Sequence, residues 1–416
     1  MLARLALVKP FALQETMLPA AALLPVAQSA IDRCLLVGRR DLRKLLMQYL
    51  RWLGGADDRV TPAQAQRRFT ILRLKFNIVL TQFDLFADVI TQRSESETGV
   101  WLGGLDVAAT DALALPGYYD PPPVICYLDR DIGAAIRRAR TRLPGGIENP
   151  VAIIRVPRER MVGSGVASSL VHEVGHQAAA LLDLVGSLRP ILQGLQRGTS
   201  ADRVAWALWE RWISEIVADL WSVARVGIGS TQGLINVVSL PRPFVFRVNV
   251  DDPHPMPWLR VKLSAAMGEA LYPHPQWRRI SALWESYYPP HGLPPGTAEI
   301  LARMQASLPA FVALLVEHRP KALRGRSLRE VFDTNARQPA NLEALHHQWV
   351  RDPAQMYRAP PMLVFAVIGQ ARGNGWLAPE DESRLVAKLL TYWTLRVTVN
   401  TSELCAGIPK LQAAAA

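Results

Sequence analysis

Apolar residues recur at three- and four-residue spacing through much of the chain, and the polar residues between them are mostly arginines. Over Ile31–Leu53 and Ala63–Thr91 this period predicts two long helices, within a helical stretch from about Ala27 to Leu115. Pro62 stands where a helix starts. The segment ALPGYYDPPPV, Ala114–Val124, breaks the period and marks a domain boundary. Two short apolar runs follow, VICYL (Val124–Leu128) and VAIIRV (Val151–Val156), which predict strands, with a helix around Asp131–Arg142 and an LPGG turn between them. Helical spacing returns from Ser168 to about Val226, interrupted by a loop around Gly186–Ser200. FVFRVNV, Phe244–Val250, reads as a further strand or an extended arm. More helices are predicted at Trp258–Leu271, Trp277–Ser286, Pro295–Glu317 and Pro379–Val397; the last opens on Pro379-Glu380-Asp381-Glu382, acidic residues that favour a helix N-terminus. The pattern predicts a predominantly helical α+β protein with a helical N-terminal region (1–120), a core holding the small sheet (121–290) and a helical C-terminal region (291–416).

Composition narrows the class. Of 416 residues half are hydrophobic and a fifth charged, which excludes a disordered chain. No run of 18 apolar residues occurs, so no membrane span is expected. The net charge of +11 raises a nucleic-acid role, but the basic residues are almost all arginine and stand in separate pairs such as Arg39-Arg40, Arg67-Arg68, Arg137-Arg138 and Arg278-Arg279. Without a long basic run, no nucleic-acid partner is expected. Cys34, Cys126 and Cys405 are far apart and odd in number, which speaks against a disulfide framework and fits a reducing, cytoplasmic location.

Chemistry concentrates in His172-Glu173-Val174-Gly175-His176, an HExxH. On a helix, histidines at i and i+4 share a face, so both rings can reach one Zn²⁺, and Glu173 falls beside the metal where a general base belongs. A third ligand decides the matter. The extension HExxHxxGxxH is excluded, because Ala179 and Leu182 occupy the required Gly and His positions. Glu215-Ile216-Val217-Ala218-Asp219 instead offers a glutamate ligand on a second helix, as in gluzincins, with Asp219 one turn on to hold a ligating imidazole by its other nitrogen. Trp206, Trp209, Trp212 and Trp221 surround these acids, and carboxylates among such neighbours are costly unless paired or metal-bound. Glu210 is the competing glutamate.

HEVGH, EIVAD and then His254-Pro255-Met256-Pro257-Trp258-Leu259-Arg260 together resemble the HExGH, ExxAD and HPxxxxR pattern of the gluzincin family that includes the CAAX prenyl endopeptidases and the bacterial heat-shock membrane protease. The resemblance covers roughly residues 150–265 and implies a minimal zincin core: a small sheet, an active-site helix and a glutamate-bearing helix. It implies His172, His176 and Glu215 as zinc ligands, Glu173 as general base, Asp219 as the acid behind the ligands, His254 as an oxyanion donor and Arg260 as an orienting residue. The transmembrane helices of those members are missing here. His274, in His274-Pro275-Gln276-Trp277-Arg278-Arg279, competes with His254 for the cleft.

The expected function is therefore a zinc endopeptidase of the gluzincin type, in which a metal-activated water attacks a peptide or protein substrate and Glu173 handles the proton. VAIIRV is expected to be the edge strand that pairs with substrate, with Arg155, Arg158 and Arg160 favouring acidic segments. The alternative is a non-catalytic binding or scaffold protein that keeps the zincin-like fold.

Overall fold

The computed structural model describes residues 1–7, 16–55, 60–130, 133–143, 146, 148–158, 161, 163, 165–197, 203–249 and 251–407, without the side chains of residues 404 and 405. Arg160 and the side chain of Cys405 lie outside the described residues; Cys34 and Cys126 are free thiols.

Proline sets many of the helix starts. Its fixed φ suits the first helical turn, where its missing N–H costs nothing. The chain runs through α1 (Leu2–Leu7), α2 (Pro25–Gly54), α3 (Pro62–Thr91) and α4 (Ser96–Leu113) to β1 (Val124–Asp129), β2 (Ala135–Arg137) and β3 (Ala152–Pro157). Next come α5 (Gly165–Leu181), α6 (Leu184–Gln196), α7 (Arg203–Arg211), α8 (Ile213–Val226), α9 (Ile228–Val238) and α10 (Arg242–Val245). The rest is α11 (Pro257–Leu271), α12 (Pro275–Tyr287), α13 (Pro295–Val316), α14 (Leu328–Val331), α15 (Pro339–Arg351), α16 (Pro353–Arg358), α17 (Pro361–Gly373) and α18 (Pro379–Cys405). Thr61 adds a capping box before Pro62: its side chain accepts from Gln64 N while the Gln64 side chain accepts from Thr61 N. The protein is predominantly helical α+β.

The sheet has strand order β1-β3-β2, with β3 parallel to β1 and antiparallel to β2. Its pleat separates two apolar clusters. Val124, Cys126, Leu128, Ala152, Ile154 and Val156 face the main core with α4, α5 and α8, while Ile125 and Ile153 face a second cluster built on α1, α2 and α3. A strand buried on both sides reads as a continuous apolar run, and that is the pattern of VAIIRV. β3 is therefore the central strand, paired along both edges, and the expectation that it is the substrate-facing edge is overturned. β2 is an edge strand, and it packs against α5.

Three other expectations change. The predicted helix at Asp131–Arg142 is replaced by β2 and a loop, because pairing of Ala135–Arg137 with Ile153–Arg155 overrides local helix propensity; Asp131 and Ile132 lie outside the described residues. The expected loop around Gly186–Ser200 holds α6, whose Leu184, Leu188 and Leu192 form a buried stripe at i+4 spacing. Phe244–Val250 is no strand: Pro241 and Pro243 start the short α10, and the residues after it are irregular up to Asn249, with Val250 outside the described residues.

The main core is one continuous cluster from Leu102 to Trp393, and six of its tryptophans, Trp209, Trp212, Trp221, Trp258, Trp277 and Trp284, are fully buried. Trp209 of α7 stacks on Phe311 of α13 at 4.3 Å between ring centroids. Among the described residues α13 is also the one helix long and apolar enough by itself to cross a membrane by length and composition. In this fold it packs Met304, Phe311 and Leu315 into the core.

Candidate metal centre

The site forms where α5 crosses α8. A Cβ built on Gly175 would lie 2.8 Å from the Ala218 Cα and 2.9 Å from the Ala218 carbonyl oxygen. Only a glycine fits so close an approach of two backbones. One helical turn from this crossing stand His172 on α5 and Glu215 on α8, with His176 beside them.

Single ligand atoms of His172, His176 and Glu215 all lie within 4.8 Å of one another. Nε2 of His172 is 3.2 Å and Nε2 of His176 is 3.5 Å from the same carboxylate oxygen, Oε2 of Glu215. His254, in the turn before α11, brings its own Nε2 to 3.2 Å from that oxygen, and its Nδ1 sits 2.8 Å from Asp252 Oδ1. His254 is half-exposed while the other groups are nearly enclosed, so the centre opens on the His254 side.

Behind the ligands, Asp219 is shared by two partners. Its Oδ1 is 2.8 Å from His172 Nδ1, and its two oxygens accept from Arg260 Nε at 2.6 Å and Nη2 at 2.8 Å. The planar guanidinium grips the carboxylate with both arms and fixes its orientation. His176 has a weaker support, Ser214 Oγ at 3.5 Å from Nδ1. Glu173 is buried, and among the described residues its side chain takes no hydrogen bond or ion pair.

Electrostatics follow from this packing. Burial acts to raise the Glu215 carboxyl, but hydrogen bonds from His172, His176 and His254 outweigh it and hold the group well below the usual carboxylate range. Asp219 behaves alike: burial raises it, and Arg260 and then His172 pull it far lower. For His172 burial disfavours the charge, yet Asp219 and Glu215 together push its pKa up to about 9. The donor set of two imidazole nitrogens and one carboxylate oxygen fits Zn²⁺.

The structure thus brings His172, His176, Glu215, Asp219, His254 and Arg260 into one connected group, with Glu173 next to it on α5. The competing residues stand elsewhere. His274 caps α12, accepting from Gln276 N at 3.3 Å. Glu210 pairs with Arg189 at 2.9 Å. Arg155 lies 3.7 Å from Asp129 on β1, and Arg158 is exposed at the end of β3. Sequence reasoning missed Asp252, Ser214 and the Gly175–Ala218 contact. Small residues at the fourth position of HEVGH and of EIVAD were the available signal for the last, since two helices can approach closely only where side chains are short. A link from the site to the sheet was also missed: Gln177, next to His176, accepts from Ala139 N at 2.8 Å just beyond β2. Comparison of the chain with protein-family models, curated proteins and solved structures finds no match.

Proposed function

We propose that the protein is a zinc-dependent endopeptidase. The observation that carries this reading is the convergence of His172, His176 and Glu215 on one point, backed by Asp219 and with Glu173 adjacent. His172 and His176 would hold the ion through Nε2 and Glu215 through a carboxylate oxygen. Bound there, zinc supplies a Lewis acid for a carbonyl oxygen and lowers the pKa of a water to about 7.

The chain's own residues supply the rest. Asp219, itself locked by Arg260, holds His172 with Nε2 turned into the site. Glu173, buried and without a side-chain partner among the described residues, accepts a proton from the attacking water and passes it to the amine as the carbon–nitrogen bond breaks. His254, held at Nδ1 by Asp252, donates from Nε2 in its protonated form to the oxygen that gains charge. An extended peptide pairs along β2, the edge strand packed against α5.

The test combines metal analysis with cleavage profiling. Wild type should hold about one zinc per chain and cleave a subset of a peptide library, and Glu173→Gln should keep the metal while turnover falls about 10²–10⁴-fold. Full zinc content in His172→Ala combined with Glu215→Ala overturns the ligand set. Turnover retained in Glu173→Gln overturns the base. A zinc-loaded wild type that cleaves no library member supports the scaffold alternative instead.

A further inference from the structure

Two of the four arginine pairs, Arg39-Arg40 and Arg67-Arg68, fall on the adjacent helices α2 and α3. Helices α2 and α3 carry ten Arg and Lys against four Asp, an excess of six out of the net +11 of the whole chain. They pack on each other near their connection, where Tyr49 Oη donates to the Ala65 carbonyl and the Arg68 guanidinium covers the Trp52 ring at 4.0 Å.

Their outer faces are apolar as well as basic. On α2, Leu36, Arg40, Arg43, Met47 and Leu50 follow one another at spacings of four and three, a single stripe along a helix. Leu36 is 49% exposed and Leu50 45%. On α3 the series Arg67, Ile71, Leu74, Ile78 repeats the spacing, and Ile71 is 62% and Leu74 59% exposed. Water-facing aliphatic side chains in such a series, interleaved with cations, have no stabilising role within the fold.

Beside the α2 stripe runs a groove of about 590 Å³ between α1 and α2, with Leu2, Leu5, Leu36 and Met47 as apolar walls and Arg39, Arg40 and Arg43 at its lip. Among the described residues Arg39 and Arg43 have no acidic partner, and Arg40 meets only the exposed Asp41 at 3.5 Å.

We propose that α1, α2 and α3 form a docking surface for a membrane rich in anionic phospholipid, with the guanidiniums on headgroup phosphates and the leucine, isoleucine and methionine side chains among the upper acyl carbons. Interleaved arginine and aliphatic residues are the composition of interfacial helices. Duplex nucleic acid satisfies the charge and leaves the aliphatic stripe wet. A second copy brings two surfaces of the same sign together. The anionic bilayer satisfies both halves of the surface, and it requires no spanning segment. The inference is independent of the peptidase reading.

Vesicle sedimentation with the full-length protein tests it, using phosphatidylcholine vesicles with and without phosphatidylglycerol. The protein should partition onto the anionic vesicles, not the neutral ones, and come off as salt rises. Arg39→Gln, Arg40→Gln and Arg43→Gln together should weaken that partition on the order of a hundredfold, at about one kcal/mol for each cation near the surface. Leu36→Ser with Met47→Ser should weaken it as well, and the circular dichroism and zinc content of both variants should match wild type. Should either set disturb the fold, Arg67→Gln on α3 is expected to give about a fivefold loss, at about one kcal/mol for that cation. The proposal is overturned by equal partition to neutral and anionic vesicles, by no partition to either, or by variants that bind like wild type. Tighter binding to random duplex DNA than to the vesicles, or a concentration-dependent dimer abolished by the same substitutions, overturns it in favour of those partners.

Discussion

Gly175 and Ala218 are where the backbones of α5 and α8 meet, and their contact sets how far His172 and His176 stand from Glu215. A methyl group at 175 has no space, because what it meets is main chain and not the end of a flexible side chain. Gly175→Ala should therefore force the helices apart, at about 1–3 kcal/mol of stability. The metal should be lost with it, although no ligand is altered. Thermal unfolding and zinc content of the purified variant check both.

Asp219 holds two groups, so its removal acts twice. Asp219→Ala strips the support from His172 and is expected to weaken metal affinity about 10–100-fold. It also leaves the buried Arg260 without the carboxylate that pairs with it, which costs about 3–5 kcal/mol. Asp219→Ala combined with Arg260→Met should recover much of the stability and none of the affinity. Competition with a chelator and denaturant unfolding separate the two effects.

A second buried pair lies away from the site. Arg93, with no exposure, donates to both oxygens of Asp106 and to the Cys126 carbonyl, while Asp106 also accepts from Cys126 N. The pair fixes α4 against β1. Arg93→Leu leaves Asp106 enclosed and uncompensated, and a loss of about 3–5 kcal/mol is expected in denaturant unfolding.

His318 supplies a pH dependence. Its Nε2 is 2.8 Å from Ser187 Oγ on α6, and burial lowers its pKa below the ordinary 6.5. The folded state thus favours the neutral ring. The stabilisation is present above pH 6.5 and is lost as pH falls through the lowered folded-state value, because the unfolded chain binds the proton first. His318→Gln should flatten the stability profile in that acid window, measured as the midpoint of denaturant unfolding across pH.

The candidate site was legible because its residues lie on long helices, where spacing converts directly into direction. His172 and His176 share a face by the arithmetic of the helix, and so do Glu215 and Asp219. The partner of Glu215 across the crossing was harder to read. Nothing in the spacing says which of two histidine-proline turns folds back, and the structure brings in His254 while His274 caps a helix. The sheet was legible in β1 and β3 and not in β2, whose three residues are too few for an alternation to show. The central place of β3 was not legible, since an edge strand and a central one differ by what pairs with them from afar. Helix α6 was hidden by Gly186, Pro190 and Gly194, which weaken local propensity, although its leucines keep the period.

The last long helix lies against the fourth. Gly103 and Gly104 on α4 leave room for Leu390 and Thr394 of α18, and the Thr394 hydroxyl donates to the Val100 carbonyl across 294 residues of sequence. A ribosome delivers α4, the sheet and both helices of the candidate metal centre long before α18 emerges. The apolar side of α4 that α18 covers must therefore wait in solvent, or under a chaperone, until α18 itself has emerged. The rate at which this fold matures is tied to the emergence of α18, and chains stalled short of Leu390 should be the ones that aggregate.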